Sequence, residues 1–353
     1  MAQLPPLRVL AVSRAPAAAC GIPDYYNQLR EALRGYATLT CDGAWLDPEI
    51  FLRQRDRADL IWINHHAGLH SRWTADHLRQ ARVYFGCPVV VTLHDTRAGG
   101  EIAPNMPQLL DLYAAADATI VHEPVTDMPD AILLRQGVPA AQPPRAYGVA
   151  SYGDGSASSD CFLVYEGQPI LGTVGFNFPW KNYDRLATLT ADLGWAIMIL
   201  SNNATGDDAI RWRSLNPCAQ VLTGFRVIPD IVSRLTGCTA TAFAYECQNN
   251  GTSGAIRLGL AARKPLYAFE GCRQFVDLQH EEAREAYEDM TLEGHQHIRW
   301  VRDFDHLAHR LRHDTFPAFD AGVSWVAHRD RWTYQGRRYL EVFADQIIKG
   351  VPR

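Results

Sequence analysis

No stretch of about 18 apolar residues occurs in this chain of 353 residues, so nothing in it has the length of a membrane-spanning helix. The start, MAQLPPLRVLAVSRAPAAACG, lacks the charged-then-apolar order of a secretory leader, and its apolar stretch is only as long as a strand. Paired cysteines are missing too. The eight present stand singly, with no CxxC and no zinc-like spacing, and a chain of this size needs no covalent staple. Reduced core thiols in a cytoplasmic protein are the expectation. There is no excess of positive charge: the net charge is −5 with both signs mixed throughout, which excludes the basic face of a nucleic-acid binder. Lysine itself is scarce, occurring only at 181, 264 and 349. A lysine in a candidate active loop is therefore not background usage.

What is present is the composition of a well-packed globular protein, 47% hydrophobic and 21% charged, in a chain longer than one core normally organises. The first half alternates β-rich runs with helix-like segments, the pattern of a parallel sheet covered by helices. Strands are expected at Leu7–Val12, Leu60–Asn64, Val89–Leu93, Ala118–Val121 and Ile132–Leu134, with helices at Asp24–Arg34, Thr74–Tyr84 and Pro107–Ala115. From Gly137 to Gln168 the texture turns rich in Pro, Gly and Ser, as a linker would be. The alternation then restarts at Ile170–Val174 and runs through a strand at Ala240–Ala244 to one at Leu266–Phe269. The last thirty residues have helical spacing.

Ligands of open parallel sheets bind beyond the carboxyl ends of the strands. In the first half those ends carry Gly21, then His65 and His66, then His94 and Asp95, then His122 and Glu123, a set that points to a polar pocket along one rim. In the second half, LGTVGFNFPWKN is a strand entering a glycine-bearing loop, with Lys181 directly before a helix. There an ammonium and free backbone N–H groups can face one anion. Further on, Gly251-Thr252-Ser253-Gly254 follows a buried strand and opens a helix, with Thr252 placed to cap it. The uncapped N–H groups and the positive end of that helix dipole suit a diphosphate.

The segments CGIPDYYNQLREAL, VVVTLHDT, ATIVHEP with LLRQGVP, GTVGFNFPWKN, LTGFRVIPDIVSRL and TSGAIRLGLAARKPLYA resemble, in this order, successive landmarks of retaining glycosyltransferases of the GT-B architecture, of the family 4, group 1 type. The resemblance spans nearly the whole chain. It implies an α/β fold of two facing Rossmann-like domains: 1–150 binding the acceptor, a linker at 151–167, and 168–322 binding a nucleotide-sugar. A C-terminal helix within 323–353 would cross back to the first domain. It further implies transfer of a sugar to a hydroxyl of a glycan or glycolipid, with the nucleotide-sugar as co-substrate and neither cofactor nor metal. Carried over residue by residue, Gly21 lies near the sugar donor's phosphates, His94 beside its sugar, Lys181 on its diphosphate and Phe225 near its base, while the amides of Thr252, Ser253 and Gly254 hold phosphate. Gly175, Asn177, Arg226, Glu246 and Asn250 complete the nucleotide-sugar set, and His65, His66, Asp95 and His122 face the acceptor. Lys181 and His94 are the expected catalytic pair.

The chain departs from the family pattern in places. Asn250 and Leu258 stand where an acidic pair is usual, Phe176 and Asn177 replace an arginine, and Arg263 replaces a helix-ending glycine. A non-glycine in a left-handed cap costs on the order of 1 kcal/mol, so a rebuilt helix end is expected. Glu246 is the nearest acid to take over a hydroxyl contact. Two rival readings stand beside the transferase. One is a metal-dependent hydrolase using His65, His66, His94, Asp95, His122 and Glu123; the other is a non-catalytic protein of the same fold that binds a sugar nucleotide. Asp303-Phe304-Asp305, the one DxD sequence, precedes a helix-like segment and is expected to cap it. The expected location is the cytoplasm, at the inner face of the membrane if the first domain docks there.

Overall fold

Continuous runs of Val, Ile and Leu bounded by polar turns suit strands buried on both faces, and such strands pair in parallel under helices. The computed structural model describes residues 5–14, 21–66, 68–94, 106–123, 125–144, 167–224, 226–246, 253–279 and 298–350. The chain divides into two units, one built from the residues up to Gly137 and from Asp330 onward, the other from Val138–Gln248 and Ser253–Arg329.

The first unit contains β1 (Leu7–Val12), α1 (Gly21–Ala32), β2 (Ala37–Thr40), a one-turn α2 (Pro48–Phe51), β3 (Leu60–His65), α3 (Ala75–Phe85), β4 (Val89–Leu93), α4 (Met106–Ala115), β5 (Ala118–Val121) and β6 (Ile132–Leu133). Its sheet runs β2-β1-β3-β4-β5-β6 with every pair parallel. Every residue of β3 is buried, including the polar Asn64 and His65 at its end. Chain order reverses direction between β1 and β3, which opens a crevice at their carboxyl ends.

The second unit repeats the plan with β7 (Ile170–Val174), α5 (Tyr183–Asp192), β8 (Ala196–Ser201), α6 (Gly206–Leu215), β9 (Ala219–Thr223), α7 (Ile228–Thr236), β10 (Ala240–Phe243), α8 (Gly254–Ala261), β11 (Leu266–Phe269), α9 (Val276–Gln279), β12 (Arg299–Val301), α10 (Phe304–His313) and α11 (Ala321–Arg329). The order β12-β11-β10-β7-β8-β9 is again all parallel and puts the reversal between β7 and β10. Asp303 accepts a hydrogen bond from the His306 amide at 2.7 Å and caps α10, as its position before the helical period predicts. The end of α8 is not rebuilt. Arg263 itself takes the left-handed conformation at φ 56°, its carbonyl accepts from the Asp320 amide at 2.9 Å, and its guanidinium lies 5.9 Å from the Phe319 ring centroid. These contacts offset a penalty that is on the order of 1 kcal/mol.

The helical tail is two helices, broken at Asp330. After α11, which belongs to the second unit, α12 (Trp332–Gly350) belongs to the first. Its Trp332, Tyr339, Val342 and Phe343 join Tyr25, Tyr26 and Leu29 of α1 and Val9, Trp62 and Val90 of the sheet in one core. A side chain the size of Phe343 stabilises by about 1.5–3 kcal/mol when buried. At the closest approach of α12 to α1, a Cβ on Gly336 would stand 2.7 Å from that of Ala32. Gly336→Val is therefore expected to destabilise by about 1–3 kcal/mol, measured as a lower urea midpoint at unchanged slope. Among the described residues no helix is long and apolar enough to cross a membrane. The thiols of Cys87, Cys238 and Cys272 are buried and those of Cys41 and Cys218 half-buried, none of them in a disulfide.

Candidate functional site

In the second unit the reversal point is built on a glycine. Gly175 follows β7 at φ 140°, where an L side chain is strained, and its amide donates to the Leu200 carbonyl at 2.9 Å. A Cβ at Gly175 would lie 2.2 Å from Lys181 Nζ and 3.2 Å from the hydroxyls of both Tyr183 and Tyr245. Three polar atoms thus gather over a bare backbone. The loop that returns Lys181 to this point closes in a 3₁₀ turn, Pro179–Lys181, and ends at Asn182, which adopts φ 57°. Asparagine enters the left-handed region more readily than most residues. The Asn182 side chain also donates to the Ala244 carbonyl at 2.8 Å, and the Glu246 amide donates to the Trp180 carbonyl at 2.8 Å, so the loops after β7 and β10 are tied together.

Lys181 is only 4% exposed, with its ammonium 4.6 Å from the Tyr245 ring centroid and 5.3 Å from that of Trp180. Both rings attract the cation through their quadrupoles. The Tyr245 hydroxyl donates to the Val174 carbonyl at 2.9 Å, and the buried Tyr183 hydroxyl lies beside it as its hydrogen-bonding neighbour. Burial raises the pKa of both phenols, so they are neutral O–H donors. An ammonium with neutral phenol hydroxyls beside it, at a turn with no side chain of its own, suits an anionic oxygen.

The start of α8 differs from the sequence expectation. Ser253 is the N-cap, makes no side-chain capping bond, and gives its amide to the Gln274 carbonyl at 3.1 Å, so this amide is not open to a phosphate. The first-turn amides that remain are those of Gly254, Ala255 and Ile256, together with the helix dipole. The helix is anchored by the buried pair of Arg257 with Asp277 of α9. Asn177 gives its amide to Asn203 Oδ1. Arg226 bonds Asp230 at 3.3 Å, and that carboxylate also takes Arg234 at 3.0 Å. Glu246 is exposed and paired with Arg185 at 2.8 Å, a surface ion pair. Phe225, Asn250 and Thr252 lie outside the described residues, as does most of the 151–167 linker.

In the first unit, parallel pairing aligns the carboxyl ends of β1, β3, β4 and β5, and so brings together groups far apart in sequence. Gly21 is the first residue of α1 rather than a loop residue. His94 lies tilted against His122 with ring centroids 5.0 Å apart and meets the Tyr25 ring edge-on at 4.6 Å. Its Nε2 lies 2.5 Å from Asn64 Oδ1, while Asn64 Nδ2 donates to Ser13 Oγ at 3.2 Å and to the Ile22 carbonyl at 3.4 Å. His122 Nδ1 lies 2.7 Å from the Leu134 carbonyl and must donate to it.

His65, fully buried, faces His70 at 5.3 Å, and neither of its ring nitrogens has a partner among the described residues. His66 Nδ1 accepts from the Gly68 amide, and the His66 amide donates to His70 Nδ1 at 3.0 Å. Burial, reinforced by neighbouring imidazoles, pushes His65 down to about 3 and His70 to about 4, and pushes His94 well below the ordinary histidine range. His65, His70 and His94 are therefore neutral rings. Burial also lifts the Asp24 carboxyl in the first turn of α1 to about 6. Asp95 lies outside the described residues. Among the described residues, no three His, Cys, Asp or Glu side chains converge as a metal site requires.

Sequence reasoning missed Asn64, His70, Tyr183 and Tyr245. Asn64 left a signal, a lone amide inside the otherwise apolar run LIWIN. The two tyrosines left none: Tyr183 opens α5 as an ordinary core residue, and Tyr245 meets Lys181 only through the pairing of β7 with β10.

No family model and no curated protein matches the chain. Solved structures do. OtsA in its apo form superposes with a TM-score of 0.61 at 11% identity, covering 96% of this chain and 99% of that one. A UDP-forming α,α-trehalose-phosphate synthase from Burkholderia xenovorans gives 0.56 at 10% identity, covering 97% and 99%. AviGT4, a glycosyltransferase involved in avilamycin A biosynthesis, gives 0.52 at 15% identity, covering 97% and 98%. Likeness at such identities speaks for the fold alone. That fold is the two-domain α/β architecture of glycosyltransferases of the GT-B type.

Proposed function

We propose that the protein is a glycosyltransferase that moves a sugar from a nucleotide-sugar to a hydroxyl of a glycan or glycolipid acceptor, without a metal and with retention at the anomeric carbon. The observation that carries this reading is the buried Lys181 ammonium held against bare Gly175 beside the Tyr183 and Tyr245 hydroxyls, at the reversal point of the second sheet. The bond between the anomeric carbon and the phosphate oxygen breaks, and its electron pair stays on the leaving diphosphate. The acceptor oxygen bonds the anomeric carbon, and its proton leaves with the diphosphate or to solvent. Negative charge develops where Lys181, Tyr183 and the first turn of α8 are already oriented, which is electrostatic stabilisation of a leaving group. The imidazole rim of the first unit, His65, His66, His94 and His122, supplies hydrogen-bonding groups for sugar hydroxyls, and Gly21 allows close approach at the start of α1. Arg226, Asn250 and the region of Phe225 contact the nucleoside.

A panel of nucleotide-sugars in a thermal-shift assay tests this reading directly. Ligand at 100 times its Kd adds about 2.7 kcal/mol, and domains of about 150–250 residues move by roughly 2–4 °C per kcal/mol. At least one nucleotide-sugar is expected to raise Tm by several degrees, and to be hydrolysed or transferred at the same rate with and without a chelator. If no nucleotide-sugar raises Tm, the reading fails.

A further inference from the structure

The side chain of Asn64 is held by groups that leave its polarity no choice. The Ile22 carbonyl can only accept a hydrogen bond, so the Asn64 atom facing it, and facing Ser13 Oγ, is the NH₂ group. The amide oxygen is therefore the atom 2.5 Å from His94 Nε2, and an oxygen acceptor at that distance requires Nε2 to carry a proton. A neutral imidazole has one N–H, so Nδ1 keeps its lone pair, and no described residue bonds Nδ1. The neighbours do not invite a second proton. Among the described residues, those acting on His94 are His122 after β5, His65 at the end of β3, His66 and His70 beyond it, and the Tyr25 ring of α1, with no carboxylate in the set. Asn64 accepts from the ring without supplying the negative charge that stabilises an imidazolium, in contrast to the aspartate of a Ser-His-Asp triad.

We propose that Asn64 is a positioning residue that holds His94 as the Nε2–H tautomer, so that Nδ1 acts as a hydrogen-bond acceptor for a substrate hydroxyl and His94 takes no part as a proton donor. The inference rests on the glycosyl-transfer reading for the identity of that hydroxyl, and on geometry alone for the tautomer. A neutral acceptor recognises an O–H group, not a phosphate oxygen.

The tautomer is visible in two-bond ¹H–¹⁵N correlation spectra of the full chain, with the His94 signals identified by their loss in His94→Gln. The expected spectrum shows protonated Nε2 and unprotonated Nδ1 throughout pH 6 to 8, and a protonated Nδ1 in that range overturns the inference whatever the protein's activity. Asn64→Asp supplies a second readout. A carboxylate in place of the amide raises the His94 pKa, because an adjacent negative charge favours the charged ring. Stabilisation by the best nucleotide-sugar from the thermal-shift panel is then expected to fall at least tenfold in affinity as pH drops through the raised pKa, and to recover in alkali. The parent protein keeps its affinity over the same range. A folded Asn64→Asp whose His94 titrates near neutrality while affinity stays flat with pH refutes the acceptor role. Failure of every nucleotide-sugar to bind the parent protein, with the Nε2–H tautomer in place, refutes the transferase reading instead.

Discussion

Lys181→Met is expected to lower kcat by about 10²–10³-fold and to raise KM, while leaving Tm nearly unchanged. Removing one preoriented group from a site of developing negative charge typically has that effect on kcat. The predicted split between kcat and stability follows from how the side chain is buried. Its ammonium lies over the Tyr245 and Trp180 rings, so the aliphatic stem is already in apolar company. Methionine has similar length and flexibility and keeps that packing. Lys181→Arg is not expected to rescue the loss, because a planar guanidinium is larger than the gap left by Gly175, Tyr183 and Tyr245 around Nζ. Steady-state kinetics with the nucleotide-sugar that gives the largest thermal shift, alongside a melting curve, checks both halves. Unchanged kcat with a lowered Tm would make Lys181 a structural residue that happens to lie at the reversal point.

Most of the sheet scaffold was legible because parallel strands buried on both faces read as unbroken apolar runs. Val89–Leu93 and Ile170–Val174 are found where such runs stand. Elements that draw their burial from elsewhere were not legible. β2 buries only alternate residues of ATLT, α6 buries only Ala209 and Trp212, and β12 is three residues long. The two-domain α/β fold followed from the restarted alternation, and solved structures of the GT-B type share it. At the candidate site the same division holds. His65, His94 and His122 were visible because they end consecutive apolar runs, and parallel pairing must set such ends side by side. Lys181 stood out by scarcity. The amide of Ser253 was misjudged because its partner, Gln274, sits in a short 3₁₀ turn with no periodic signal. Tyr183 and Tyr245 were invisible for a related reason: each belongs to a different strand–loop unit, and only the β7–β10 pairing makes them neighbours.

Gly175→Ala is expected to abolish nucleotide-sugar binding and to lower stability, through two separable terms. The first is backbone strain, since φ 140° lies where L residues are rarely found; such outliers cost on the order of 1–3 kcal/mol. The second is direct overlap, because the new methyl would stand 2.2 Å from Lys181 Nζ. The ammonium must move away from the turn, and the Tyr183 and Tyr245 hydroxyls, at 3.2 Å from the same point, leave it little room. Truncating the lysine distinguishes the two terms. In a Lys181→Ala background the overlap is gone, so Gly175→Ala should there destabilise by strain alone, and the double mutant should be more stable than the sum of the single losses predicts. Such coupling between contacting residues commonly amounts to about 0.5–3 kcal/mol. Urea midpoints for the four proteins of the cycle give the coupling, and the thermal-shift panel gives the binding. Strict additivity in the cycle would mean that Nζ does not occupy the space above Gly175 in solution, and the anionic-oxygen site would lose its geometric basis. Coupling accompanied by retained nucleotide-sugar binding would place the diphosphate elsewhere on the second unit, at the first turn of α8.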